Sequence, residues 1–192
     1  METKKIAKAI SIIAQPTLIP IALYLIVSLT IAPSMTGLWY ALIGIIFMTL
    51  APMVLVFVLV RSNKITDPDL PDRRERFIPY ISIVGLYVIG FVVYWLLHVP
   101  YPILAITASY IAVTLVGAFV SLFWKISMHM AGIAGPITAL VFLVNPLFVF
   151  AYVLLVPLGW ARYTLKKHTF SQIIFGSGFS MILTYLIIWL FS

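Results

Sequence analysis

Arg73-Arg-Glu-Arg76 runs directly into Phe77-Ile-Pro-Tyr-Ile-Ser-Ile-Val-Gly-Leu-Tyr-Val-Ile-Gly-Phe-Val-Val-Tyr-Trp-Leu-Leu97, a segment with no charged residue at all. About 20 apolar residues cross the hydrocarbon core of a bilayer. A charge at the centre of such a helix costs roughly 2.5–3.5 kcal/mol on insertion scales. The junction at Arg76 therefore marks where the chain enters lipid. Working outward, the same alternation fills the chain. Every charged side chain falls in residues 1–8, residues 61–76, Lys125 or residues 162–167.

The apolar runs between these clusters predict spans over 9–32, 38–60, 77–97, 103–123, 129–144, 147–161 and 169–190. The expected fold is all-α: a polytopic membrane helical bundle of about seven transmembrane helices, in a single domain covering 1–192. The junction Asn145-Pro146 decides between seven and six, because Pro kinks a helix without always ending it. Counting spans puts every charged cluster on one membrane face. Trp39, Trp95, Trp124 and Trp160 lie near the expected interfaces, as an aromatic belt does.

Composition agrees with that class. Of 192 residues, 64% are hydrophobic and 9% charged, against about 25% charged in soluble domains. The net charge of +7 borders hydrophobic spans, which argues for anionic headgroups or phosphorylated lipids as partners and against nucleic acid. Cysteine is absent, so thiolate and disulfide chemistry are excluded. The basic start followed by an apolar run resembles a signal peptide, but the run continues to about Ala32 and contains Pro16 and Pro20, so a retained first span is expected. All Lys and Arg share the face of the amino terminus, and the positive-inside rule puts that face in the cytoplasm. Oligomeric state is not legible.

Three clusters could carry chemistry. The loop 61–79 packs Lys64, Arg73, Arg74 and Arg76 among Asp67, Asp69, Asp72 and Glu75. It reads as a solvated, internally paired loop or as a phosphate holder in which Lys supplies a point charge and Arg a planar fork. Its aspartates also admit a magnesium-diphosphate transferase site, which elsewhere needs a second aspartate-rich cluster. Lys125, Ser127 and His129 open the fifth predicted span, and Arg162, His168 and Gln172 precede or open the seventh. His98, on the other face beside Pro100, reads as an interfacial or capping residue. Two imidazoles with cations at helix amino ends suit phosphoryl transfer, in which one attacks phosphorus and the other protonates the leaving oxygen.

The order of a Lys/Arg loop, Ser127-x-His129 and Arg162-x5-His168 resembles the type 2 phosphatidic acid phosphatase superfamily, whose motifs are KxxxxxxRP, PSGH and SRxxxxxHxxxD. The resemblance runs from Lys64 to about Phe179. It implies a metal-independent, cofactor-free lipid or polyprenyl (di)phosphate phosphatase. His168 would be the nucleophile and His129 the general acid. Lys64, Arg162, Ser127 and one of Arg73 or Arg76 would bind phosphate. The chain departs from the motifs at several positions: Lys64 lies twelve residues before Arg76, Ile126 and Met128 flank Ser127, Ala161 precedes Arg162, and Gln172 stands where the family has Asp. Gln172 can orient the His168 ring or close a capping box on Thr169; both readings stand. A catalytically silent, lipid-phosphate-binding, transport or scaffold protein is the alternative that Gln172 favours.

Overall fold

A computed structural model describes residues 2–68, 70 and 72–192; Asp69 and Pro71 of the charged loop fall outside them. The described residues form eight helices: α1 (Glu2–Ile13), α2 (Ile19–Ile31), α3 (Met35–Arg61), α4 (Phe77–Leu96, led by a 3₁₀ turn at Arg73–Glu75), α5 (Tyr101–Phe123), α6 (Met128–Leu143), α7 (Pro146–Thr164) and α8 (Phe170–Phe191). Five of them, α3, α4, α5, α7 and α8, are long and apolar enough to cross a membrane. The helices α2 and α6 are apolar but shorter.

The first predicted span is corrected. Residues 9–32 do not form one helix, because the chain breaks at 14–18 around Pro16, whose ring removes a donor and blocks the preceding turn. Turn bonds from Ala14, Gln15 and Leu18 N–H to Ile10, Ile12 and Gln15 carbonyls satisfy the break. Such irregular backbone is tolerated at membrane depth where protein surrounds it. Here Pro16 seats against Gly132, where an added Cβ would come within 2.7 Å of the Pro16 ring.

At Asn145-Pro146 the helix ends outright. Asn145 adopts extended backbone and its side chain accepts from Leu147 N–H, opening α7. The first nine residues of α7, Pro146–Leu154, are 3₁₀. At about 2.0 Å rise per residue, against about 1.5 Å for α, this stretches a 19-residue helix toward the full ~30 Å of the core. In α3 a π turn at Ile46–Leu50 precedes Pro52, which cannot donate to the carbonyl one turn back.

Short α6 is the central helix, with nearly every residue from His129 to Ala139 buried. One core joins α2, α3, α4 and α5 through Leu23, Tyr24, Met48, Tyr94 and Ile106, where the Tyr24 hydroxyl meets Thr107 Oγ1 at 2.6 Å and so is not orphaned in lipid. A second core joins Ile10 of α1 and Ala14 just past it to Met130, Leu158 and Ile173 of α6, α7 and α8. Both position the loops 61–76, 124–127 and 165–169 around the start of α6. At the opposite end His98 is exposed, with φ of 52°, and terminates α4 through the Val99 N–H to Tyr94 carbonyl bond.

Candidate functional site

The charged loop is pinned from within. Glu75 accepts from both Thr66 N–H and Thr66 Oγ1 at 3.0 Å, Asp72 caps Arg74 N–H, and Ile65 and Leu70 bury against Leu59. Arg76, only 3% exposed, donates through Nε to the Leu70 carbonyl (2.8 Å) and through Nη1 to the Ile126 carbonyl (2.9 Å). Arg73 reaches the Leu122 carbonyl at the end of α5. One arginine thus ties the loop to Ile126, the other to the preceding helix. Lys64 stays exposed just past α3, where its N–H closes on the Leu59 carbonyl.

Ser127 is buried and caps α6, its hydroxyl accepting from Met130 N–H. Its own N–H reaches the Gln172 carbonyl at 3.3 Å, so the mouth of α6 lies against the first turn of α8. Gly176 makes this approach possible, because a Cβ there would sit 2.6 Å from the Ser127 carbonyl oxygen.

The α7 end is a Schellman turn: Lys167 N–H bonds the Arg162 carbonyl and Lys166 N–H that of Tyr163, with Lys166 left-handed at φ 53°. The turn delivers His168 just before the Thr169 cap of α8. Thr169 and Gln172 form the full capping box, Gln172 Oε1 accepting from Thr169 N–H at 3.1 Å. Arg162 is 2% exposed, and its Nη1 donates to Ser11 Oγ of α1 at 2.6 Å.

His168 is 6% exposed and its Nδ1 has no hydrogen-bond partner. Burial, then the charges of Arg162, Arg76 and Lys125, hold its pKa down at about 3, with a hydrogen bond to Gln172 acting the other way. Lys125 is also lowered, by burial first and then by Arg76, Lys167 and Arg162, against Asp72. Four cations therefore act on one neutral imidazole or on each other across one small region. Lys64 and Arg73 are not among the charges acting on His168.

Two concavities flank the mouth of α6. An open cleft of about 830 Å³ is lined by His168, Lys125, Lys166, Lys167 and Gln172. A mostly apolar cavity of about 130 Å³ has His129, Pro16 and Leu70 in its lining and continues to Ala139 and Thr184. That volume is close to that of a cavity able to take one benzene ring. The two histidines therefore line different concavities.

Lys125 and Lys167 join the site although the family motifs contain no counterpart; the signal for Lys125 was its isolation between two apolar runs. Ser11 carried no sequence signal. Among the described residues no three His, Asp or Glu side chains gather as a metal site would need. No family model, curated protein or solved structure matches the chain.

Proposed function

We propose that the chain is a membrane-embedded phosphatase that hydrolyses a lipid phosphate or polyprenyl (di)phosphate through a phosphohistidine at His168. The observation that carries this reading is the buried, neutral His168 with Arg76, Arg162 and Lys125 acting on it. Burying a guanidinium costs several kcal/mol unless its charge is compensated, and ionisable groups inside membrane proteins mark functional paths. In a chain with 9% charged residues, two buried arginines acting on one imidazole support an anion site there. A phosphate dianion there balances the cations and accepts their hydrogen bonds.

The chemistry follows from the protonation state. Neutral imidazole offers a lone pair to phosphorus. The N–P bond forms, the ester P–O bond breaks, and the lipid oxygen takes its proton from His129. Water then attacks phosphorus, His129 takes the proton back, and the N–P bond breaks to release inorganic phosphate. The two flanking concavities suit a substrate with its phosphate in the basic cleft and the first carbons of its chain in the apolar cavity beside His129. Arg76 and Arg162 bind phosphate, with Ser127 and Lys64 at the periphery; Arg76 is preferred to Arg73 because it acts on His168. In this reading α2 and α6 complete seven passes, and the basic face is cytoplasmic.

A second reading, a silent lipid-phosphate binder, is favoured by Gln172, whose Oε1 is already engaged by Thr169 N–H and brings no negative charge to an imidazolium. The test is phosphate release from a panel of lipid and polyprenyl phosphates by purified protein with a chelator present. The phosphatase releases phosphate, His168→Ala falls to background, and His129→Ala falls by about 10²–10⁴-fold, the usual range for a lost general acid. Release that survives in His168→Ala, or none from the parent on any substrate, contradicts the phosphatase reading.

A further inference from the structure

The break at Pro16 separates α1 from α2, and α1, packed against α7, has three distinct faces. Ala7, Ile10 and Ser11 point inward, followed by Ala14 just past the helix; Ala7, Ser11 and Ala14 are buried, and Ile10 and Ala14 pack into the core formed with Met130 and Leu158. Lys4, Lys5 and Lys8 are exposed on one flank, with Ile12, 54% exposed, beside them. Ile6 and Ile13, 55% and 75% exposed, lie on the other. A helix with an apolar edge, a lysine edge and no length to span is built to lie in the headgroup layer, apolar edge toward the acyl chains. Five long apolar helices put that layer within its reach.

The inward face does more than pack. Ser11 Oγ receives the 2.6 Å hydrogen bond of Arg162, across 151 residues of sequence, and both side chains are buried. Arg162 in turn heads the charges acting on His168. Displacing α1 would remove an acceptor from a buried guanidinium beside the imidazole.

We infer that α1 is an interfacial arm that binds anionic lipid headgroups through Lys4, Lys5 and Lys8 and, through Ser11, positions the buried Arg162 that acts on His168 of the basic cleft. The lipid half stands on α1 alone, whereas the Ser11 half rests on the cleft being an anion site. The bilayer's own anionic lipids thereby set the anion affinity of the cleft: docked, α1 holds Arg162 in register; undocked, the guanidinium loses Ser11 and phosphate binds less tightly.

The full chain in nanodiscs of phosphatidylcholine, with or without phosphatidylglycerol, tests both halves. Amide exchange across residues 2–13 slows about tenfold or more with phosphatidylglycerol, each lysine near an anionic surface contributing attraction, and the triple variant Lys4→Gln, Lys5→Gln, Lys8→Gln loses that response. Inorganic phosphate, titrated calorimetrically, binds more tightly in the anionic discs. Ser11→Ala weakens it about tenfold, as loss of a hydrogen bond to a charged group does, and this effect vanishes in an Arg162→Lys background, because the two act as one unit. Exchange in 2–13 that ignores phosphatidylglycerol overturns the lipid half. Parental phosphate affinity in Ser11→Ala, or an effect that persists beside Arg162→Lys, overturns the positioning half. A parent that binds no phosphate overturns the anion-site reading and the Ser11 half together, while the exchange response still decides lipid docking.

Discussion

His168 enters the folded state as a neutral imidazole, because burial and the charges of Arg162, Arg76 and Lys125 hold its pKa at about 3, against about 6.5 in an unfolded chain. Between those values the unfolded chain binds a proton that the folded one refuses. Stability therefore falls as pH drops from about 6.5 toward 3, by up to about 1.4 kcal/mol per pH unit, and is indifferent to this residue above that window. Thermal unfolding from pH 7 to 4 should show the parent losing stability toward acid and His168→Gln losing less. Bound phosphate should raise the imidazole pKa and flatten the parent's slope, because it offsets the cations. His168 and the arginines that act on it were legible in proportion to their rarity: in so apolar a chain Arg76, Arg162 and His168 stand out. Ser11 is one of many small polar residues, and only the fold brings it to Arg162. Gln172 was legible as either a cap or an orienting group; it closes the capping box and also bonds the imidazole.

Helices announced themselves by their apolar length, and breaks by proline, but proline alone does not say which break it makes. Pro16 splits the first predicted span, Pro136 stays inside α6 and Pro146 starts a new helix. The difference lies in what each breaks against: Asn145 supplies a cap for α7, and Gly132 leaves room for the Pro16 turn. The contact between α6 and α8 is equally tertiary. Gly176→Ala would press a methyl group to within 2.6 Å of the Ser127 carbonyl oxygen, a backbone atom that cannot swing away. Overpacking of this kind costs about 1–3 kcal/mol. The variant should melt earlier in a thermal scan and, by moving Ser127 and the α6 mouth, release phosphate more slowly per folded molecule. Gly178→Ala, with nothing within 4 Å, is the control, unchanged in both readouts.

Across the whole molecule the charged loops share one end of the bundle with the mouth of α6, and the loop between α4 and α5 shares the other with Val144. Class and approximate span boundaries were visible in the sequence, since bilayer thickness dictates them. The shortness of α6 was visible too, in its predicted span of 129–144, whereas that of α2 was not, because a helix sheltered by its neighbours need not match the lipid. With seven passes, single cysteines placed at residues 5 and 125 should label from one side of a sealed membrane and one at residue 192 from the other. Labelling of all three from the same side would mean that α2 or α6 does not cross. The cysteine-free native sequence makes each reporter unambiguous.

The central claim is covalent, and trapping tests it most directly. Purified protein is mixed with a radiolabelled lipid phosphate, quenched within a turnover at alkaline pH, where phosphohistidine survives, and mapped by peptide mass spectrometry. Phosphoryl label on His168, absent from His168→Ala and accumulating in His129→Ala when the phosphate ester carries a phenol-type leaving group that departs without a proton, is the predicted result. Steady release of phosphate with no label on His168, or label on another side chain, would contradict it.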